Sequence, residues 1–178
     1  GPDTGPHTGP DLLGYVFAFP TAIPGVQHSH RLAVLARARG LGLGLRLKLY
    51  QRDWCLARGL HLTRWTYDPL RHANASLNIA RLGATAATYH RDYYGAMEGI
   101  NAGLPSDRLQ VDWHLNSPPA NSPPAAPGTP LDLPLPEDLD RLMASDPAAA
   151  LALRLALRQA LEQAFAQGLC ITGYDPAS

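Results

Sequence analysis

Apolar positions divide the chain into short runs of two periods. Leu12 to Phe19, "LLGYVFAF", is an apolar run with aromatic residues that Pro20 closes, and it predicts a buried strand. "TAIPGVQ" is a turn-rich loop, and His28 to Val34, "HSHRLAV", predicts a second strand. From Gly44 the period becomes helical: Leu43, Leu47, Tyr50 and Trp54 share one stripe, while Arg46, Lys48, Arg52 and Asp53 fall largely elsewhere. Gly59, after Arg58, stops that helix. Leu60 to Tyr67 predicts a third strand that breaks at Pro69, and Asn74 to Leu82 a helix ended by Gly83. The clearest strand is Arg108 to Leu115, where Leu109, Val111, Trp113 and Leu115 alternate with Gln110, Asp112 and His114. Asp146-Pro147, an acid before a proline, opens a long helix with Leu153, Leu157, Leu161 and Phe165 on one face. Gly168 ends it, and "LCITGY" predicts a final strand.

Strands alternating with helices predict an α/β (α+β) layer structure around a sheet. Residues 1–11, rich in Gly and Pro, read as a flexible tail, and 12–116 as the core domain. Residues 116–136 hold eight prolines, so 117–136 reads as a Pro-rich linker before a C-terminal helix–strand extension, 137–178. The 178 residues carry 15 acidic and 15 basic side chains, a formal net charge of zero that argues against a nucleic-acid partner. No apolar run approaches the roughly 20 residues of a membrane span. Cys55 and Cys170 form no metal spacing, and two distant cysteines suit a reducing compartment. The expectation is a cytoplasmic protein with no metal and no membrane contact.

The transition at Arg39-Gly40-Leu41-Gly42-Leu43-Gly44 stands out, because glycines weaken a helix start. A strand, a Gly-rich turn and a helix place free backbone N–H groups where an anion, commonly phosphate, can approach closely. Arg37, Arg39 and Arg46 add positive charge. Neither the Gly-Lys-Ser/Thr phosphate loop nor the G-x-G-x-x-G dinucleotide spacing is present. Close helix–strand packing is the competing explanation for these glycines.

The run "VLARARGLGLGLRL" resembles the acyl-CoA-binding motif of the GNAT acetyltransferase superfamily, Arg/Gln-x-x-Gly-x-Gly/Ala, with Arg39, Gly42 and Gly44 at its fixed positions. "HSHRLAV", "LKLYQRDWCLARGL", "WTYDPLRHANASLNIARLGA", "YYGAMEGINAGLPSDRLQVDWHL" and "RLALRQALEQAFAQG" are similar to one branch of that superfamily with a C-terminal extension. The resemblance spans most of residues 12–174 and implies a mixed central sheet flanked by helices. In the family further N-terminal helices and strands precede the strand at 12–19. The resemblance also implies acetyl-CoA or another acyl-CoA as co-substrate. Leu32 and Val34 would hold pantetheine along the strand, and Arg39, Gly40, Leu41, Gly42, Leu43, Gly44 and Leu45 the pyrophosphate. Asn74 matches a cofactor-contact position, with a helix N-cap as its alternative role. Leu41 stands where the family often has a basic residue, and Ile79 where many members carry a tyrosine acid.

Acyl transfer to an amine needs a base for the ammonium proton. His28 and His30, two apart on a strand, face one side, and imidazole titrates near a pKa of about 6.5, which suits that task. Paired structural histidines are the alternative. Asp68 can bind a cationic acceptor or act as base, or it can simply form an Asp-Pro turn. Tyr89, Tyr93 and Tyr94 are candidate acids or packing groups, Cys55 is expected in the core, and Asp107 with Arg108 as an ion pair or strand-end anchor. The leading expectation is an N-acyltransferase acting by direct attack of a small-molecule amine. A non-catalytic acyl-CoA-binding or regulatory protein is the alternative, and a homodimer built on the Leu-rich C-terminal helix a third.

Overall fold

A computed structural model describes residues 11–95, 103–116 and 131–175. Most of the expected tail and of the Pro-rich linker lies outside the described residues. The chain builds a five-stranded mixed sheet in the order β1-β2-β3-β5-β4. Its strands are β1 Gly14–Pro20, β2 Val26–Val34, β3 Leu62–Tyr67, β4 Thr85–His90 and β5 Arg108–His114. Helix α1, Leu43–Leu56, crosses from β2 to the parallel β3. Helix α2 begins at His72–Ala75 and continues as a π-helix, Ser76–Arg81. Helices α3, Leu139–Ser145, and α4, Pro147–Ala166, complete the set. No helix among the described residues is long and apolar enough to cross a membrane.

Alternation decides which face is covered. Leu109, Val111 and Trp113 of β5 join Trp65 and Tyr67 of β3 in one apolar cluster, with Ile79 and Leu82 from the α2 region and Leu157 and Leu161 of α4. Leu139 of α3 belongs to the same cluster. The opposite face carries Arg64, which pairs with Asp112 through two bonds of 2.6 and 2.7 Å. Both side chains are about a third exposed, so this pair contributes little to stability.

Five segments depart from the reading of the sequence. β1 is an edge strand, not a buried one: Tyr15, Phe17 and Phe19 are 39%, 52% and 41% exposed. On α1 the apolar stripe is not the packing face, since Tyr50 and Trp54 are exposed while Lys48, Gln51 and Cys55 are buried. "LCITGY" forms one bridge, Ala86 to Ile171, and no strand. β4 and α3 carry no clear periodic signal and went unread.

The start of α4 follows its sequence. The Asp146 carboxylate accepts from the Ala149 amide at 2.9 Å, and Pro147 takes the first helical position. Asp146→Ala is expected to lower the unfolding free energy by about 1 kcal/mol, read as a lower urea midpoint at constant slope. An unchanged midpoint would show that the cap carries no weight.

Candidate functional site: a strand fork above a helix start

β2 and β3 pair over three residues only: Val26 with Leu62, Gln27 with Thr63 and His28 with Arg64. Both strands continue, β2 to Val34 and β3 to Tyr67, without further pairing between them. They therefore part like a fork, and β2 from Ser29 onward has a strand neighbour on its β1 side alone. The β1–β2 register slips between Phe17 and Ala18, which leaves His30 as the extra residue of a bulge. A bulge bends its strand and strengthens the local twist, and this one sits where β2 leaves β3.

Beneath the fork lies a buried polar cluster. Ser29 and Trp65 are the first residues beyond the last β2–β3 pair, and Lys48 of α1 reaches both. Its Nζ donates to Ser29 Oγ at 2.8 Å and to Gln51 Oε1 at 3.2 Å, and lies 3.6 Å from the centre of a Trp65 ring. Gln51 Nε2 donates to Gln27 Oε1 at 2.7 Å, and the Cys55 thiol donates to the same oxygen at 3.2 Å. These contacts explain the polar packing face of α1. Gln27, Ser29 and Thr63 are buried on the sheet, and only polar partners can satisfy them. No carboxylate balances Lys48 among its hydrogen-bond partners, and burial pulls its pKa down to about 7. Burial also pushes the Cys55 thiol above its ordinary value.

On the open face, above the fork, His28 and His30 stand together as their spacing implied, with ring centres 6.0 Å apart. Phe19 stacks on His28 at 4.9 Å, and Phe17 meets His30 edge-on at 6.0 Å. Burial, then the charge of His30, then that of Lys48 lowers the His28 pKa, so His28 stays neutral further into acid. His30 is exposed.

Past β2 a short 3₁₀ turn, Ala36–Ala38, and extended Arg39 lead to the glycines. Gly40 and Gly42 adopt φ of 79° and 71°, and Gly42 is the N-cap of α1. A Cβ added to either would meet nothing within 4 Å, so close packing does not account for them. Their left-handed backbone does. Gly44 has no such φ, and a Cβ there would make ordinary contacts with Leu32 and Leu77. The first intrahelical bond is Arg46 N to Gly42 O, and no side chain caps the helix. The amides of Leu43, Gly44 and Leu45 thus lack intrahelical acceptors. Arg39, Leu41 and Arg46 are exposed, whereas Arg37 pairs with Asp11 at 3.0 Å. Leu32 and Val34 lie on the free arm of β2, half-buried and opposite Val16 and Gly14.

The remaining candidates lie apart. Asp68 follows β3; its Oδ1 accepts from the Leu70 amide at 3.0 Å and from Arg154 Nη2 at 2.7 Å, the Asp-Pro turn of the alternative reading. Asn74 sits inside the first turn of α2, whose N-cap is Arg71, so it is not a cap. Ile79 is 1% exposed and Cys55 is in the core. Tyr89 donates to Asp107 Oδ2 at 2.8 Å, and burial, followed by that bond, raises its pKa. Asp107 pairs with Arg158 of α4, not with Arg108. Burial opposes ionisation of Asp107, but bonds from Arg158, the Asp92 amide and Tyr89 prevail and lower its pKa. Lys48 and Gln51 were missed because the helix was read by its apolar stripe. Their i, i+3 spacing opposite Gln27 and Ser29 was the available signal.

With this geometry, solved structures provide the comparison. An IAA acetyltransferase from Bacillus cereus matches at a TM-score of 0.53 and 17% identity, over 60% of this chain and 72% of that one. A Bacillus subtilis acetyltransferase in complex with CoA matches at 0.51 and 17%, over 60% and 71%. A GNAT-family acetyltransferase from Desulfovibrio desulfuricans gives 0.49 and 22% over 59% of this chain. The chain spans about 62% of that protein's length. No protein-family profile and no curated protein sequence matches. Over about 60% of this chain, the fold is shared with the Bacillus cereus and Bacillus subtilis acetyltransferases.

The depressed Lys48 pKa has a signed consequence. Between its folded value of about 7 and the unfolded 10.5, the unfolded chain binds more protons, so stability rises with pH. Between about pH 7.5 and 9 the rise is expected to approach roughly 1.4 kcal/mol per pH unit. Lys48→Met should flatten it in urea titrations. An equal slope in both proteins would contradict the assignment.

Proposed function

We propose that the protein is an acyl-CoA-dependent N-acyltransferase that transfers an acetyl group to a small-molecule amine by direct attack. One observation carries the reading: a fork between two central strands opens toward a helix start whose two left-handed glycines border empty space. The free arm of β2, with Leu32 and Val34, offers backbone groups to pantetheine. The loop from Arg39 to Leu45 offers amides to the pyrophosphate, with Arg39 and Arg46 as exposed cations. Asn74, at the first turn of α2, stays a candidate contact.

The acceptor amine approaches from the open face, where His30 takes its proton directly or through one water as the nitrogen attacks the thioester carbon. His28, kept neutral by burial and by its neighbours, is the second base candidate. Asp68 is already engaged by Arg154 and is the weakest of the three. A thiol has a pKa of roughly 8.5, so the departing thiolate can take its proton from solvent. That matters because the tyrosine position holds buried Ile79. The same isoleucine favours the second reading, a non-catalytic acyl-CoA-binding protein on this fold.

Calorimetry with CoA tests the donor site. Wild-type protein is expected to bind, and Gly42→Val, which forces a branched side chain into φ 71°, to lose at least tenfold in affinity. No binding by the wild type at millimolar CoA would end both readings. On a panel of amines, His30→Ala is expected to lower kcat by about 10²-fold or more with CoA affinity unchanged. CoA binding without turnover of any amine would select the non-catalytic reading.

A further inference from the structure

The two edges of the sheet are treated differently. At β4 the Ala86 amide donates to the Ile171 carbonyl at 3.1 Å and the Ile171 amide returns a bond of 2.7 Å, so the C-terminal segment engages that edge. Among the described residues β1 pairs with β2 alone. Two bonds near its ends fix which backbone groups are left over. The Leu35 amide donates to Leu13 O at 2.8 Å, and the Thr21 amide to Val26 O at 3.4 Å. Odd-numbered residues thus turn their N–H and C=O groups toward β2, and Gly14, Val16 and Ala18 turn theirs outward. Pro20 falls on the outward row, where its missing N–H removes no bond to β2.

A bare edge is ordinarily protected by charge, by a proline within the strand or by a bulge that twists it away. β1 has none of these. Leu12 to Phe19 contains no charged residue, and the extra residue of the β1–β2 bulge belongs to β2. The open-face side chains of β1 are instead aromatic: Tyr15, Phe17 and Phe19, the last two with ring centres 6.1 Å apart. At roughly 200 Å² per aromatic side chain, their exposures leave about 260 Å² of apolar surface to water. Exposed Leu12, Leu13 and Leu35 extend the patch at one end, toward the roughly 800 Å² per partner of a stable interface.

We propose that this edge pairs with the same edge of a second copy of the chain, joining the two five-stranded sheets into one across a two-fold axis. A strand that meets its own copy about such an axis runs antiparallel to it. Centred on Val16, the midpoint of Leu12 to Pro20, the pairing sets Val16 against itself and Gly14 against Ala18. All of these are outward-bonding residues, so the new ladder uses only groups that β2 leaves unpaired. Tyr15 of one protomer then stands opposite Phe17 of its partner, once on each side of the axis, and Leu13 opposite Phe19. Aromatic cross-strand pairs are favourable, and no like charges meet. Another protein's strand could use the same ladder; what selects a second copy is that the row is its own complement. The assembly stops at two, because the pairing consumes the β1 edge of both protomers and each β4 edge already carries Ile171. The proposal rests on β1 and is independent of the acyl-transfer reading.

Sedimentation of the 178-residue chain over a concentration series, with amide exchange followed by NMR, tests the proposal. The wild type is expected to dimerise, and its Val16 amide to exchange more slowly as dimer forms. Tyr15→Lys combined with Phe17→Lys puts like charges directly opposite and is expected to weaken association by roughly a hundredfold or more. Tyr15→Glu combined with Phe17→Glu should do the same alone. An equimolar mixture of the two variants is then expected to re-form a dimer, which unfolded variants could not do. Leu155→Glu, on the exposed side of α4, should leave association unchanged. Four results would overturn the proposal: a monomer at every concentration, species larger than a dimer, a dimer that Leu155→Glu dissolves, or charge variants that associate as the wild type does. A mixture of the two variants that stays monomeric would do so as well.

Discussion

Everything distinctive about this chain follows from the parting of β2 and β3 after the His28–Arg64 pair. A parallel pair normally gains from every added ladder bond, so stopping after three residues leaves backbone groups that need another partner. Two features hold the strands apart at that point. The bulge at His30 bends β2 on the β1 side, and Lys48 fills the gap on the helix side by bonding Ser29 and lying over Trp65. The same divergence places the histidine pair on one face of the sheet and the glycine-opened helix beyond its far end. The histidine pair and the helix start thus both lie along the arm of β2 that the break leaves free of β3.

Among the described residues, two buried cationic side chains are accommodated by different chemistry. Lys48 sits among neutral partners and sheds its proton readily, which removes the charge that burial disfavours. Arg154 cannot do so and is matched by a carboxylate at the end of β3. That ion pair ties α4 to the sheet together with the Arg158–Asp107 pair, whose carboxylate is fully buried. Removing one partner of such a pair leaves an uncompensated charge and costs far more than the pair itself contributes.

Legibility in the sequence followed burial contrast. Arg108 to Leu115 was readable because one face of β5 is dry and the other half-exposed, and the Asp146-Pro147 start because a cap is local chemistry. The face of α1 was not readable from hydrophobicity, since it packs through Lys48, Gln51 and Cys55 against polar positions of the sheet. β4, with alanines and threonines in place of large apolar residues, lacks that contrast. Of the candidate site, the glycine loop and the facing histidines were legible because each depends on local geometry. The engagement of Asp68 by Arg154 joins residues 86 positions apart and has no local signature.

Hydrogen–deuterium exchange with and without CoA addresses the central claim most directly, because it reads the backbone groups themselves. Slower exchange confined to the β2 amides of residues 29–34 that β1 leaves unpaired, and to residues 40–46, with α4 unchanged, is the result this account predicts. Unaltered exchange in both segments at saturating CoA would contradict it.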